Sequence, residues 1–388
     1  MWEFTSPRTI VFGEEALEYL KEIEGERAFI VSGKFVGRMG IADKVADYLK
    51  EAGMEVSIFN EVEPEPSVGT IVKGAKAMAE FRPDWIIGLG GGSSMDAAKA
   101  MWILYERPDM EVAMINPLEK LGLRKKSKLL CIPTTSGSGS EATWATIITD
   151  SDGAVKMELP SKEAVPDVVI LDPELPSLMP PALTAQTGLD VLAHAVEAYV
   201  SQWRNDFSDA LAIKAIQIVF THLLEAYENG TSLEARERMH NASTMAGWAF
   251  SNSQVGVAHC MGHALGALFK VPHGRCVGIF LPYSIEYSAP EIKERYAQIA
   301  KAIGVEHTTD DEALDGLLEA IRALRERLGE PGSIGDAGIS ESEFNANLDG
   351  LVDRAMSSAS TSMCPRIPSA DDYRKLFICA FSGENVGF

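Results

Sequence analysis

The stretch Trp85-Ile86-Ile87-Gly88-Leu89-Gly90-Gly91-Gly92-Ser93-Ser94-Met95-Asp96-Ala97-Ala98-Lys99-Ala100 carries the reading of the fold. A short apolar run ends in glycines and passes directly into an alanine-rich helical pattern. That pattern is a strand, a tight turn and a helix N-terminus, where free backbone N–H groups and the helix dipole attract phosphate. A diphosphate suits such a turn, and so does a purely structural glycine turn. The pattern departs from the G-x-G-x-x-G fingerprint, with Ser93 at the third glycine, and it lacks the Lys-Ser/Thr ending of a P-loop.

Outward from this turn, strand-like runs at residues 28–31, 55–59, 129–132 and 168–171 alternate with helical stretches such as 41–51 and 67–81. Alternation of this kind predicts a parallel sheet with helices on both faces. Asp152-Gly153 predicts a hairpin between residues 146–149 and 155–159. After Met179-Pro180-Pro181 the strand signals almost vanish, and helical patterns continue over 184–380, broken at Asn229-Gly230 and Pro331-Gly332. The expected organisation is therefore an α/β domain over 1–178 and an all-helical domain over 179–388. Residues 310–327, with Leu314, Leu317, Leu318, Ile321 and Leu324 among regular charges, read as a solvated amphipathic helix.

A chain of 388 residues with 46% hydrophobic positions has ample core for two domains. It has no run of eighteen apolar residues and opens without a basic segment leading into an apolar one, so neither a membrane span nor a secretory signal is expected. The net charge of -21 opposes nucleic acid and anionic membranes as partners. Five cysteines without a Cys-x-x-Cys pair fit a reducing cytoplasm.

The chemistry concentrates in histidines. In Thr187-Gly188-Leu189-Asp190-Val191-Leu192-Ala193-His194, Asp190 and His194 stand four apart, on one helix face and about 6 Å apart along its axis. His259 and His263 repeat the spacing, and Pro272-His273-Gly274 adds an imidazole in a turn. His222, His240 and His307 have no such neighbours. Imidazoles with one carboxylate suit Fe(II), Zn, Co, Ni or Cu better than Mg or Ca. A hydroxyl- and glycine-rich loop, Pro133-Thr134-Thr135-Ser136-Gly137-Ser138-Gly139-Ser140-Glu141, follows the run Leu129-Leu130-Cys131-Ile132 and offers donors to ribose, phosphate or carboxamide groups.

At these residues the chain resembles the iron-containing (group III) alcohol dehydrogenase family. The matching pieces are Gly90-Gly91-Gly92-Ser93 with Asp96 and Lys99, Pro133-Thr134-Thr135 through Ser140-Glu141, Pro166-Asp167 with Leu171-Asp172-Pro173, Met179-Pro180-Pro181, Thr187-Gly188-Leu189-Asp190 with His194, and the His259, His263, His273 cluster. They run in order along most of the chain. The resemblance implies that 1–178 is a Rossmann-like, dinucleotide-binding α/β domain and 179–388 an all-α, metal-binding domain, in a dehydroquinate synthase-like architecture with a cleft holding metal and nicotinamide. By position, Asp190, His194, His259 and His273 match the metal ligands, and His263 matches a non-ligand histidine near the nicotinamide, a candidate proton relay. The implied cofactor set is Ser32, Gly33, Lys34, Gly90, Gly91, Gly92, Ser93, Asp96, Thr134, Thr135, Ser138, Lys156 and Leu183. Trp144, Trp248 and Phe250 are candidate lining for an apolar substrate pocket.

Two departures from the family pattern carry consequences. Many members have Asp after the second strand, where this chain reads Ser32-Gly33-Lys34. A carboxylate there repels a 2′-phosphate, whereas Gly33 leaves room, Ser32 can donate and Lys34 adds charge, so NADP(H) is favoured over NAD(H). Met363-Cys364-Pro365-Arg366 replaces the common Asn-Pro-Arg. The expected function is a metal-dependent alcohol dehydrogenase or aldehyde reductase acting on a small primary alcohol or aldehyde. A catalytic metal lowers the pKa of bound water by about nine units, on the order of 12 kcal/mol, which no side chain alone supplies. Fe(II) is the expected ion, with Zn the occupant after aerobic isolation because it ranks higher at such ligands. A homodimer is the expected assembly. The competing readings are a zinc-dependent polyol (glycerol-type) dehydrogenase, a dehydroquinate-synthase-like lyase, and a non-catalytic metal- and nucleotide-binding module.

Overall fold

The structure, a computed structural model, describes residues 3–117, 119–150 and 155–388, with the backbone alone at Asp150, Val155 and Lys156. The Asp152-Gly153 turn of the sequence reading lies outside the described residues. By contact the chain divides into two compact units, Met1–Leu178 and Met179–Phe388.

The first unit is built on strands β1 (Thr9–Phe12), β2 (Arg27–Gly33), β3 (Glu55–Val62), β4 (Trp85–Gly90), β5 (Lys128–Pro133) and β8 (Val168–Leu171), in the order β1-β8-β5-β4-β2-β3. Every pairing is parallel. Strands β6 (Ile147–Asp150) and β7 (Val155–Glu158) form a separate antiparallel pair, as the hairpin reading expected. β1, four residues long, escapes the sequence reading. The helices are α1 (Lys34–Arg38), α2 (Ile41–Glu51), α3 (Val68–Phe81) and α4 (Gly92–Glu106). Alternation along β2 divides its side chains between two cores. Ala28 and Ile30 pack with α2 residues Val45 and Leu49, whereas Phe29 and Val31 pack with Ile71 of α3 and Ala98 and Trp102 of α4.

That two-faced arrangement follows from right-handed crossovers. From β2 the chain steps outward to β3, then returns past β2 to β4 and continues in the opposite direction to β5. Reversing direction puts α2 on one face and α3 and α4 on the other. The reversal lies between β2 and β4, and in open parallel sheets the crevice at the carboxyl ends of such strands receives ligands. There Ser32 pairs with Leu89, and Gly90 pairs with Pro133, so the Gly33, Gly90 and Thr134 segments leave neighbouring strand ends.

The second unit is helical throughout its described elements: α5 (Pro181–Val200), α6 (Asp206–Glu228), α7 (Leu233–Ser251), α8 (Val257–Phe269), α9 (His273–Ala302), α10 (Asp310–Arg327), α11 (Glu341–Ser357) and α12 (Ala370–Ser382). α5 starts at a proline, whose fixed φ suits the first helical position, and is buried nearly throughout from Gly188 onward. α6 is, among the described residues, the one helix long and apolar enough to cross a membrane; its Ala212, Ala215, Ile216, Val219 and Leu223 lie in the core of the unit. α9 contains Pro282 and Pro290 and is interrupted at Ile292 (φ -149°). α10 buries Leu317, Leu318, Ile321 and Leu324 as its periodicity predicts, and Thr309 with Glu312 closes its start as a capping box.

Candidate functional site

Asp190 and His194 come from α5, His259 from α8 and His273 from the first position of α9. One ligand atom from each lies within 4.8 Å of every other. Asp190 Oδ1 is the hub: it stands 3.3 Å from His273 Nε2, 3.7 Å from His259 Nε2 and 3.8 Å from His194 Nδ1. Asp190, His194 and His259 are buried, while the His273 side chain is 40% exposed and opens the group to solvent. Burial alone would raise the Asp190 pKa, but His194, His273 and His259 outweigh it and hold the carboxyl well below the usual range. Burial pulls His259 down, and Asp190 and Glu197 overcome that and push it up to about 9.

Glu197, which the sequence reading did not single out, lies 2% exposed on α5. Its carboxylate accepts from Gly256 N (2.8 Å), Ala258 N (2.6 Å) and Ser284 Oγ (3.3 Å), and contacts His259 Nδ1 at 2.6 Å. A signal was present: Glu197 falls seven residues after Asp190, two turns along the same helix face. His263, one turn after His259, is not in the four-residue group; its ring centroid lies 5.1 Å from that of His273 and 5.9 Å from that of His259. Phe250 stacks on His194 with centroids 4.3 Å apart.

In the first unit, Gly90 takes φ +143°, and a Cβ there would meet Ser94 Oγ at 2.5 Å. Gly91 and Gly92 face the hydroxyl loop: Cβ atoms added to them would stand 3.4 Å from Thr135 Oγ1 and 2.9 Å from Ser138 Oγ. Thr134 N donates to Gly90 O (2.9 Å), and Ser93 Oγ donates to Pro64 O. Bare backbone therefore borders the start of α4 on the side where the second loop brings its hydroxyls.

The family model described as iron-containing alcohol dehydrogenase matches residues 7–173, and that of the Fe-containing alcohol dehydrogenase family, C-terminal, matches residues 184–381. The chain belongs to the iron-containing alcohol dehydrogenase family. It is 44% identical to an NADPH-dependent butanol dehydrogenase of Clostridium saccharobutylicum over the whole of both chains. It is 36% identical to a 1-propanol dehydrogenase of Citrobacter freundii over 97% of this chain and 99% of that one. The structure of a 1,3-propanediol oxidoreductase superposes with a TM-score of 0.93 at 32% identity, covering 98% of this chain and all of that one. The protein is accordingly a metal-dependent oxidoreductase acting on alcohols, and membership in this family sets the lyase reading aside.

The donor set fits the iron of an iron-containing alcohol dehydrogenase. Ligands about 2.1 Å from a tetrahedral ion stand about 3.4 Å from one another, close to the separations around Asp190 Oδ1. Asp190 Oδ1 and His259 Nε2 are buried and make no hydrogen bond among the described residues. Each such orphan costs about 1–3 kcal/mol, a cost that a cation between them removes.

The remaining residues expected at the cofactor and substrate sites lie in varied surroundings. Ser32 is fully buried and its hydroxyl makes no hydrogen bond among the described residues, because strand alternation turns it into the sheet face under α2. The Asp96 carboxylate accepts from Ser140 Oγ (2.6 Å) and Ile147 N (3.2 Å). Lys99, one turn on, is fully buried and donates to Ser140 O, Thr143 O and Ala145 O at 2.7, 3.0 and 2.9 Å. Burial raises the Asp96 pKa and lowers that of Lys99, each against the pull of the other. The pair thus ties α4 to the hydroxyl loop. Gly33 ends β2 and Lys34, exposed, opens α1. Leu183 is half-buried in the first turn of α5 and accepts from Thr187 Oγ1 (2.8 Å). The Lys156 side chain lies outside those described. Trp248 is two residues from Phe250, about 200° around α7, so it does not share the face stacked on His194. Trp144 is half-buried in the first unit.

Proposed function

We propose that the protein interconverts small primary alcohols and aldehydes with NADP(H), using a divalent cation, Fe(II) in the cell, held by Asp190, His194, His259 and His273. The observation that carries the reading is the convergence of four ligand atoms within 4.8 Å around a buried, unsatisfied carboxylate oxygen. When bound, the cation supplies Lewis acidity toward the oxygen of an alcohol or carbonyl, and the nicotinamide supplies or takes hydride. The residues of the chain do the rest. His273, the exposed member, marks the side from which substrate reaches the group, and Phe250 against His194 gives that side an apolar wall. His263, partly exposed and 5.1 Å from the His273 ring, is placed to pass a proton to solvent through water. Gly91, Gly92 and the start of α4 receive the diphosphate, with Thr134, Thr135 and Ser138 as donors around it.

The absence of a carboxylate at Gly33, the exposed Lys34 and the similarity to an NADPH-dependent butanol dehydrogenase together support NADP(H) and a short-chain alcohol. Five free thiols suit a reducing compartment, and we place the enzyme in the cytoplasm as a homodimer. The test is to load metal-free protein anaerobically with Fe(II) and follow NADPH absorbance with butanal. Turnover faster with NADPH than with NADH is expected. No consumption of either nucleotide with any short aldehyde would refute the proposal.

A further inference from the structure

We infer that Glu197 fixes which ring nitrogen of His259 faces the ligand group, and through that sets the affinity of the group for a divalent cation. This rests on the four-residue reading of the cation site.

The carboxylate of Glu197 meets four polar atoms: Gly256 N, Ala258 N, Ser284 Oγ and His259 Nδ1. The two backbone N–H groups, at the start of α8, can only donate, and a carboxylate can only accept. At 2.6 Å from a carboxylate oxygen, His259 Nδ1 must therefore carry a proton. In neutral imidazole that leaves the lone pair on Nε2, the atom that stands 3.7 Å from Asp190 Oδ1 and makes no hydrogen bond among the described residues. The opposite tautomer would aim an N–H at the cation position and a lone pair at a carboxylate. Glu197 thus fixes the tautomer: whenever the ring is neutral, as a ligand to a cation must be, its lone pair faces the group.

The same side chain ties two helices together. It extends from α5, which also carries Asp190 and His194, to the first turn of α8, which carries His259. The approach is too close for a side chain at Gly256, where a Cβ would stand 3.0 Å from Glu197 Oε1. Charge points the same way. Asp190 and Glu197 are buried carboxylates whose ion-pair partners are histidines, and a divalent cation balances the two of them.

The test compares metal-free wild type, Glu197→Gln and Asp190→Ala by titration with Co(II), reading visible absorption against a competing chelator. Glutamine keeps the shape but brings an NH₂ group that either opposes the α8 donors or donates to Nδ1, and the second outcome moves the ring proton to Nε2. A 10- to 100-fold weaker Co(II) affinity is expected for Glu197→Gln, the range typical of partners that orient metal-binding histidines. For Asp190→Ala, near-complete loss is expected. Wild-type affinity in Glu197→Gln beside loss in Asp190→Ala would overturn this inference alone. Wild-type affinity in Asp190→Ala would overturn the cation site and this inference with it. Should Glu197→Gln not fold, ¹⁵N-histidine NMR of the Zn-loaded wild type decides: a protonated Nδ1 on His259 supports the inference, and a protonated Nε2 refutes it.

Discussion

Replacing Gly274 by alanine is expected to open the metal group from a distance. Gly274 follows His273 at the start of α9, and a Cβ there would lie 2.1 Å from the Gln186 carbonyl oxygen and 2.6 Å from its carbon. Both are backbone atoms of α5, four residues before Asp190, so no rotamer change relieves the clash. Ordinary contact begins at 3.4 Å, and going from 2.1 to 3.4 Å requires the helices to part by about 1.3 Å. His273 Nε2, now 3.3 Å from Asp190 Oδ1, moves with its helix. Metal–ligand distances tolerate only about 0.2 Å, so the fourth ligand drops out of range. Overpacking of this kind costs about 1–3 kcal/mol. In a unit of this size each kcal/mol lowers Tm by about 2–4 °C, giving a fall of roughly 2–12 °C. Calorimetry of the metal-free variant and a competitive Co(II) titration measure the two effects, and an affinity at least about tenfold weaker is expected. A Tm within about 1 °C of wild type together with an affinity within about twofold would refute the reasoning, since the helices could then not be as close as described.

Three further outcomes follow from the geometry. Chelator treatment should lower the Tm of wild type, by about 4 kcal/mol worth of stability if metal is present at a thousand times its Kd, and leave Asp190→Ala unchanged; equal Tm shifts in both proteins would remove Asp190 from the site. Lys99→Met strips the donor from three buried carbonyls and leaves Asp96 without its cation, so a loss of about 3–5 kcal/mol and a raised KM for NADPH are expected by melting and initial-rate assays; an unchanged melt would show the loop holds itself. Gly33→Asp adds a carboxylate at the strand end proposed to receive the 2′-phosphate, a like-charge repulsion worth about 2 kcal/mol after screening, so the NADPH/NADH ratio of kcat/KM should fall about 30-fold; no change would place the adenosine ribose elsewhere.

The layered first unit was readable because each buried parallel strand is an uninterrupted apolar run, as in Ile86-Ile87 or Leu129-Leu130, and each is followed by helical spacing. The ligand group was readable for a related reason: two of its members sit on one helix at i, i+4, and helix geometry brings such residues together without tertiary information. Legibility failed where the partner is distant. Ser140, which Asp96 and Lys99 hold, lies more than forty residues away, so the same residues suit a nucleotide contact as well as a loop clamp. Glu197 looks like a charge on an ordinary helix until the start of α8, about sixty residues on, closes over it. β1 is too short to show a period, and the break in α9 falls at Ile292, a residue with no breaker character of its own.

All four proposed cation donors, and the carboxylate behind His259, lie between residues 190 and 273 of one compact unit. On the proposed assignment, none of the donors comes from the first unit. The helical unit should then be able to take up its ion in the absence of any dinucleotide.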